Sequence, residues 1–449
     1  MPLQPVVTVS RLSEIRHDGT PSYRYRSASL QEVPLTVSAS AGETLAIHGG
    51  PPVRRSRKPA NPVIGNAARQ EVADVLTSGV LAQFYGGSKV GQFERDYARW
   101  FGRAEAVAVS SGTAALHVAY LAAGLPEHSE VLVPANAYVS ALSALIQANL
   151  VPVIVDIDPN SWSMDPADCG RKITSRTSAI VPVHMYGMPC PMGELMDISE
   201  NCGLSVIEDC GQAHGALWNG RKTGTFGIAA AFSLCCRKHV ALGEGGIVVT
   251  DAADVAARMR ALAHKGKGPS WFDYREMGFS YNMTEIQAVL GSYQLARLDQ
   301  EVSTRRALAA RLREGLAETS LQFPVEPPGS LHAYFKQNAL VPPALARSRD
   351  EIVYAVRAEN VGCDPSHPYL LDIDWIREQQ PYFYRTLSPD ERPDYDQSTA
   401  PVAQDVLARQ ICIEVGPGLD EKDIDDTISA IRKVLTYFAT GHSRAQGEV

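Results

Sequence analysis

Short apolar runs alternate with stretches of helical character between about residues 100 and 250, and no other feature of the sequence limits the fold as strongly. The runs are rich in valine and isoleucine and mostly lack polar alternation, which is typical of strands buried on both faces. Helices that connect such strands predict an α/β fold with a mostly parallel, seven-stranded sheet covered on both sides. The predicted strands are 106–109, 131–133, 151–157, 179–183, 204–207, 230–234 and 246–250, and the predicted helices are 113–124, 139–149 and 191–203.

The segments outside this region differ from it in composition. Residues 1–45 are rich in serine, proline, threonine and arginine without sustained periodicity, so we expect a loosely ordered N-terminal extension. Thr284 is the predicted N-cap of one or two helices that reach about residue 316. Beyond about residue 320, a turn cluster, a strand, a helix, a long loop rich in proline and tyrosine and a last helix from Glu421 predict a smaller α+β domain. The predicted organisation is an extension 1–45, a large domain 46–318, a small C-terminal domain 319–440 and a tail 441–449.

Composition and charge exclude several classes of protein. At 449 residues the chain is too long for one compact core. Its net charge of −8 leaves no basic excess to neutralise phosphates, so we expect no nucleic-acid partner. No apolar run reaches about 18 residues and the N-terminus lacks a secretory signal, so we expect no membrane association. The eight cysteines show no zinc-binding spacing, which favours free thiols, no metal site and a cytoplasmic location.

Ligands of open parallel sheets bind beyond the carboxyl ends of the strands, so the residues that follow each strand are the first candidates for a site. The segment SSGTAAL, which begins at Ser110, joins a strand to a helix. Its small residues and backbone N–H groups suit a phosphate, although the same pattern forms an ordinary helix N-cap. Asp209 ends another apolar strand, where a carboxylate either holds a protonated pyridine nitrogen, caps a helix or binds a metal.

Two further residues follow predicted strands. Lys238 lies just beyond one of them, and lysine is seldom buried without a partner or a task. Burial would lower the pKa of its amine and make it a nucleophile that forms a Schiff base, whereas a surface lysine before a glycine turn is the simpler alternative. Tyr138 follows another strand, where an aromatic ring stacks on a flat cofactor or packs in the core.

The combination of these segments resembles the DegT/DnrJ/EryC1/StrS family of pyridoxal-phosphate (PLP) enzymes, the sugar aminotransferases. The resemblance runs from about Gly49 to Thr436 and rests on SGTAAL, VIEDCGQAHGA and FSLCCRKHVALGEGGIVVT. The opening IHGGPPVR is similar to the branch that includes cyclitol aminotransferases and aminohydroxybenzoate synthase. The resemblance implies the type I PLP-dependent transferase (aspartate aminotransferase-like) fold, PLP as cofactor, and a homodimer whose active sites are shared between subunits.

The resemblance also implies roles for single residues. Lys238 matches the lysine that carries PLP as a Schiff base, and Asp209 matches the carboxylate that pairs with the pyridinium nitrogen. The other implied cofactor positions are Gly112, Thr113 and Ser233 at the phosphate, Tyr138 stacked on the ring and Gln212 beside it. The family usually has GYNYRMT where this chain has GFSYNMT, so Ser280 replaces an asparagine that reaches the partner subunit's cofactor phosphate, and Asn282 replaces an arginine.

The implied reaction is ping-pong transfer of an amino group from L-glutamate or L-glutamine to a keto sugar, nucleotide-linked, or a keto cyclitol, in aminosugar or aminocyclitol secondary metabolism. By analogy, His184, Tyr186 and His367 line the entrance, although His367 is equally compatible with a turn cap. Three alternatives remain open: a non-catalytic PLP-binding subunit, an aromatising enzyme, and a dehydratase, whose branch replaces the lysine by histidine.

Overall fold

The structure, a computed structural model, describes residues 44–55, 62–268, 270, 272–416 and 418–440. Within these residues the strands are β1 (Glu105–Val109), β2 (Glu130–Pro134), β3 (Val151–Val155), β4 (Thr177–Ile180), β5 (Ser205–Asp209), β6 (Leu217–Trp218), β7 (Arg221–Lys222), β8 (Ala229–Ser233), β9 (Gly246–Thr250), β10 (Ser330–Leu331), β11 (Gln337–Leu340), β12 (Cys363–Pro365) and β13 (Gln410–Ile413). The α-helices are α1 (Asn66–Ser78), α2 (Lys89–Phe101), α3 (Gly112–Ala122), α4 (Val139–Gln147), α5 (Pro166–Lys172), α6 (Met192–Cys202), α7 (Ala253–Ala263), α8 (Glu285–Leu295), α9 (Leu298–Gly315), α10 (Arg349–Ala358), α11 (Asp374–Arg377), α12 (Tyr382–Thr386), α13 (Pro401–Arg409) and α14 (Glu421–Ala439). The predicted extension, apart from Thr44 and Leu45, and the predicted tail lie outside the described residues.

The seven predicted strands form one sheet in the order β1-β9-β8-β5-β4-β2-β3. Strands β3, β2, β4, β5 and β8 pair in parallel, whereas β9 runs antiparallel to both of its neighbours, β1 and β8. Six strands therefore run one way and one runs the other, which confirms the predicted mostly parallel sheet. Strand β3 is shorter than predicted: it ends at Val155, the carboxylate of Asp156 accepts the N–H groups of Val402 and Ala403 at the start of α13, and Ile157 forms an antiparallel β-bridge with Met164 instead.

Both faces of this sheet are covered, as the continuous apolar runs predict. In β9, Val248 points to the core that includes Leu116 of α3, whereas Ile247 and Val249 point to the core that includes Phe93 of α2. Successive side chains of a strand alternate between faces, so a strand between two helical layers has to be apolar at every position.

The C-terminal part contains a second sheet, in the order β11-β13-β12, with all pairs antiparallel. Helices α9, α10 and α14 share a buried core with this sheet, which includes Leu312, Ile352 and Val434. The predicted α+β character of this region is confirmed. The described residues form one compact unit, so the boundary at 318 stays a prediction.

The segment between the predicted helix that ends at Glu359 and the last helix, expected to be one long loop, contains β12, α11, α12, α13 and β13. Its tyrosines pack against the large sheet: the hydroxyl of Tyr395 donates to the carbonyl of Pro152 at 2.8 Å and lies 3.1 Å from that of Tyr384. The predicted loop was wrong because this segment is held by contacts with residues far away in the sequence, such as Pro152, which leave no pattern along the chain. None of the helices in the described ranges has the length and apolarity to cross a membrane.

Candidate active site

The strand ends that carry the predicted site residues meet at one edge of the large sheet. Strands β1, β8 and β5 point the same way and end at Val109, Ser233 and Asp209. Helix α3 begins just after β1, with Ser111 as its N-cap, and the hydroxyl of Ser111 accepts the N–H of Ala114 at 3.1 Å. The motifs that were separate in the sequence therefore converge on one place.

A cradle that admits no side chain lies between the start of α3 and the end of β8. A Cβ atom built on Gly112 would lie 2.7 Å from Cβ and 2.9 Å from Oγ of Ser233, closer than real contacts allow. The N–H groups of Gly112 and Thr113 belong to the first turn of α3, where backbone donors have no partner within the helix. Free backbone donors, a hydroxyl and the positive end of a helix dipole suit a phosphate group.

Asp209 lies at the end of β5 with 8% of its surface exposed. Its Oδ1 accepts the N–H of Gly211 at 2.9 Å, and its carbonyl accepts the N–H of His184 at 3.0 Å. Burial raises the pKa of this carboxyl, while the Gly211 hydrogen bond and the charge of Lys238 oppose the rise. A buried carboxylate of this kind gains most from a cationic partner.

Lys238 is half-buried in a turn that follows β8. Its backbone N–H donates to the carbonyl of Cys235 at 3.1 Å, and its Nζ lies 4.4 Å from the centre of the Phe335 ring. Burial lowers the pKa of the amine to about 8, although the negative charge of Asp209 acts in the opposite direction. The amine is therefore much closer to its neutral, nucleophilic form at physiological pH than an exposed lysine.

Comparison with known proteins identifies the chain. A model described as the DegT/DnrJ/EryC1/StrS aminotransferase family matches residues 62–432. The chain belongs to this family. It is thus an aminotransferase, and the cofactor of the family is PLP, which the cradle, the buried Asp209 and the half-buried Lys238 fit.

Several relatives span nearly the whole length of this aminotransferase. L-glutamine:2-deoxy-scyllo-inosose aminotransferase of Micromonospora echinospora is 34% identical over 420 residues, covering 87% of this chain and 97% of the relative. GDP-perosamine synthase of Caulobacter vibrioides is 32% identical over 356 residues, covering 78% and 91%. The X-ray structure of the aminotransferase from Psychrobacter cryohalolentis superposes with a TM-score of 0.75 at 28% identity, covering 86% and 100%.

Three aromatic residues of the aminotransferase adjoin each other although they come from distant parts of the chain. The His367 ring lies 6.1 Å from that of Tyr186, nearly parallel, and 6.3 Å from that of Tyr138, at a right angle. Tyr138 is 52% exposed, whereas Tyr186 is buried. Nδ1 of His367 donates to the carbonyl of Pro368 at 3.1 Å, and its buried Nε2 has no partner among the described residues. His367 therefore makes a hydrogen bond within its own turn and also lies beside Tyr138 and Tyr186.

Gln212 follows Asp209 at the same edge. Its Oε1 accepts the backbone N–H of Tyr186 at 2.9 Å. Tyr186 has a left-handed backbone, with φ of 57°, which this hydrogen bond helps to hold. The side-chain oxygen of Gln212 is engaged within the protein, so its NH₂ group is the end available to a ligand.

His184 does not line the entrance, and that prediction was wrong. Its side chain is fully buried, with Nε2 3.2 Å from Oε2 of Glu208 and Nδ1 accepting the N–H of Cys190 at 3.0 Å. An acceptor Nδ1 places the ring proton on Nε2, which donates to Glu208. A histidine with both nitrogens engaged inside the protein supports the wall of the site and cannot reach a substrate.

Glu208 is the residue at this edge that sequence analysis missed. It accepts backbone N–H groups of Gly224, Phe226 and Gly227 at 2.7–2.9 Å in addition to His184. Burial raises its pKa, but these hydrogen bonds outweigh burial and hold the pKa below its usual value. Its place in VIED was the available signal, because a charged residue inside an apolar strand needs partners.

Within the described ranges, one group of three or more histidine, cysteine, aspartate or glutamate side chains is close enough together to hold a metal ion. It consists of His184, Glu208 and Cys210. The ring nitrogens of His184 and both oxygens of Glu208 are already used in hydrogen bonds. We therefore infer that these three side chains stabilise the end of β5 and do not bind a metal ion.

Ser280 and Asn282 lie on an exposed segment beside the end of β1. The carbonyl of Tyr281, between them, accepts the N–H of Ser110 at 2.7 Å, and Asn282 forms a bridge with Val109. Oδ1 of Asn282 lies 2.8 Å from Nδ1 of His264. Both side chains are thus on the surface next to the cradle.

Replacing Gly112 with alanine is expected to weaken PLP binding about tenfold or more. The new Cβ has to displace Ser233, and overpacking costs ~1–3 kcal/mol, where about 1.4 kcal/mol is a factor of ten. The measurement is a PLP titration followed by absorbance. Gly170→Ala is the matched control, since a Cβ there meets nothing within 4 Å, and unchanged affinity in both variants would contradict the cradle.

The rate at which the PLP-free enzyme takes up PLP is expected to report the lowered pKa of Lys238. Only the neutral amine attacks, so the rate rises about tenfold per pH unit below the pKa and levels off above it. With a pKa of about 8, the plateau begins near pH 8. A rate that still climbs in this way toward pH 10.5, the ordinary pKa of lysine, would contradict burial of the amine.

Proposed function

We propose that this enzyme transfers an amino group from L-glutamate or L-glutamine to a keto sugar, nucleotide-linked, or a keto cyclitol. The observation that carries the proposal is the convergence of Lys238, Asp209 and the Gly112–Ser233 cradle at one sheet edge. The relatives point to these two acceptor classes, because one is named for GDP-perosamine and another for 2-deoxy-scyllo-inosose. The biological role we propose is aminosugar or aminocyclitol secondary metabolism in the cytoplasm, which suits a chain with eight free cysteines.

The proposed roles follow from position and charge. Lys238 would hold PLP covalently, and its Nζ, once released by the amino donor, would take the proton from the substrate carbon as a general base. Asp209 keeps the ring nitrogen protonated, since a buried carboxylate stabilises a cation beside it. PLP supplies an electron sink when it is bound. The remaining cofactor contacts are Gly112, Thr113 and Ser233 at the phosphate, Tyr138 on the ring face and Gln212 at its edge, with Tyr186 and His367 toward the substrate.

The proposal includes a homodimer in which Ser280 and Asn282 face the partner's site. Exposed aromatic side chains lie on this side of the molecule. The rings of Phe84 and Tyr274 both contact the amine of Lys267. Phe84 also contacts His264, which forms a β-bridge with Ser280. Tyr274 is 58% exposed and Phe84 37% exposed, and exposed aromatic side chains that adjoin each other favour an interaction surface. The molar mass of the PLP-bound enzyme, measured by light scattering, tests the proposed homodimer. The mass of a monomer would contradict it.

The test of function is a product assay with the PLP-bound enzyme. Each donor is combined with a nucleotide keto sugar and with a keto cyclitol, and mass spectrometry looks for the aminated acceptor. The expected product has gained an amino group in place of the keto oxygen, and Lys238→Ala gives none. An aromatic or dehydrated product would favour the other enzymes of the family, and no product with any pair would favour a non-catalytic subunit.

A further inference from the structure

Two adjacent thiols lie beside Lys238 and have no part in the proposed mechanism. Sγ of Cys235 and Sγ of Cys236 are 3.7 Å apart. Cys235 is half-buried and Cys236 is exposed. The other exposed cysteine, Cys202, has no neighbouring cysteine in the sequence. The remaining cysteines are buried: Cys169, Cys190, Cys210, Cys363 and Cys412. The pair is therefore the accessible dithiol of the chain.

The same turn holds both thiols and the lysine. The N–H of Cys236 donates to the carbonyl of Gly243 at 2.8 Å, and the N–H of Lys238 donates to the carbonyl of Cys235 at 3.1 Å. Arg237, between them, has a left-handed backbone with φ of 74°. Cys236 is two peptide bonds and Cys235 three peptide bonds from Lys238, so a change in the position of either sulfur bears on the backbone of the residue that carries the amine.

The separation of the sulfurs fits one bridging atom better than a disulfide. Adjacent Cα atoms are about 3.8 Å apart across a trans peptide, below the ~4.4–6.8 Å that a disulfide usually spans. Two bonds of about 2.3 Å from sulfur to one tetrahedral metal ion place the sulfurs about 3.8 Å apart, and the smaller bond angles at pyramidal arsenic(III) bring them somewhat closer. The observed 3.7 Å therefore matches chelation by a single thiophilic atom with little movement.

We propose that Cys235 and Cys236 form a dithiol site that captures one thiophilic atom, a trivalent arsenical or a soft metal ion, and so restrains the turn of Lys238. With phenylarsine oxide both S–H bonds and the arsenic–oxygen bond break, two arsenic–sulfur bonds form, and the oxygen leaves with both protons as water. No electrons are transferred. Burial raises the pKa of Cys235 to about 11, and the neighbouring thiol and Glu244 add to the rise, so this thiol gives up its proton only as the bond to arsenic forms.

The site is tested on the full-length, PLP-bound enzyme with phenylarsine oxide and intact-protein mass spectrometry. Wild type and the control Cys202→Ser are expected to retain one arsenical per chain in excess 2-mercaptoethanol and to release it with 2,3-dimercaptopropanol. Cys235→Ser and Cys236→Ser are expected to retain none in the monothiol, because one sulfur cannot chelate. An arsenical that survives in both single variants, or none in wild type, would overturn the proposal.

The restraint on the turn has its own readout. Treated wild type is expected to lose its spectral response to L-glutamate, whereas treated Cys236→Ser keeps it after monothiol washing. Equal responses in the two would overturn the restraint. This second readout rests on the proposed role of Lys238, whereas the mass measurement does not, so failure of the proposed function would leave the dithiol result intact.

Discussion

Replacing Lys238 with alanine is expected to remove the PLP adduct that borohydride fixes to the protein and to lower amino transfer by ~10²–10⁴-fold, the range for loss of a general acid–base group. The amine lies in the turn that follows β8, burial lowers its pKa to about 8, and the negative charge of Asp209 acts in the opposite direction. Peptide mass spectrometry after reduction locates the adduct, and steady-state kinetics measure the loss.

Lys222→Ala is the matched control for this variant. Lys222 is another half-buried lysine, and burial lowers its pKa as well. It lies on strand β7, outside the large sheet, with its Nζ 3.8 Å from the centre of the Trp100 ring. It is expected to keep both the adduct and the activity. If the borohydride adduct maps to any residue other than Lys238, the assignment of the nucleophile fails.

Asp209→Asn is expected to slow the reaction with the amino donor by ~10²–10³-fold, the range for loss of a preorganised electrostatic contact. Asparagine retains the shape and an oxygen that accepts the N–H of Gly211, so the change isolates the charge. Since burial already disfavours the ionised carboxyl, the fold is expected to tolerate the neutral side chain. Stopped-flow absorbance after addition of L-glutamate measures the rate.

The neighbouring Glu208→Gln separates charge at the cofactor from support of the strand. Glu208 accepts the Nε2 proton of the buried His184 and three backbone N–H groups, so leaving some of these buried donors without an acceptor is expected to cost ~1–3 kcal/mol of unfolding free energy. Urea denaturation of both variants is the measurement. Asp209→Asn with full activity but a large loss of stability would show that Asp209 is structural.

The strands of the large sheet were predictable because burial on both faces leaves a continuous apolar run in the sequence. The edge of the sheet was predictable too, since strand ends such as Asp209 and Ser233 follow those runs directly. The buried position of His184 could not be predicted, because it depends on contacts with Glu208 and with the N–H of Cys190. Neither contact leaves a pattern along the chain. Helix α13 was missed for a similar reason: its first N–H groups are capped by Asp156, far away in the sequence.

The absorption spectrum of the purified enzyme with PLP, before and after addition of L-glutamate or L-glutamine, tests the central claim most directly. We predict a yellow band that at least one donor bleaches in the wild type, and no donor-dependent bleaching in Lys238→Ala. A protein that stays colourless when PLP is supplied, or a band that neither donor changes, would contradict amino transfer at Lys238.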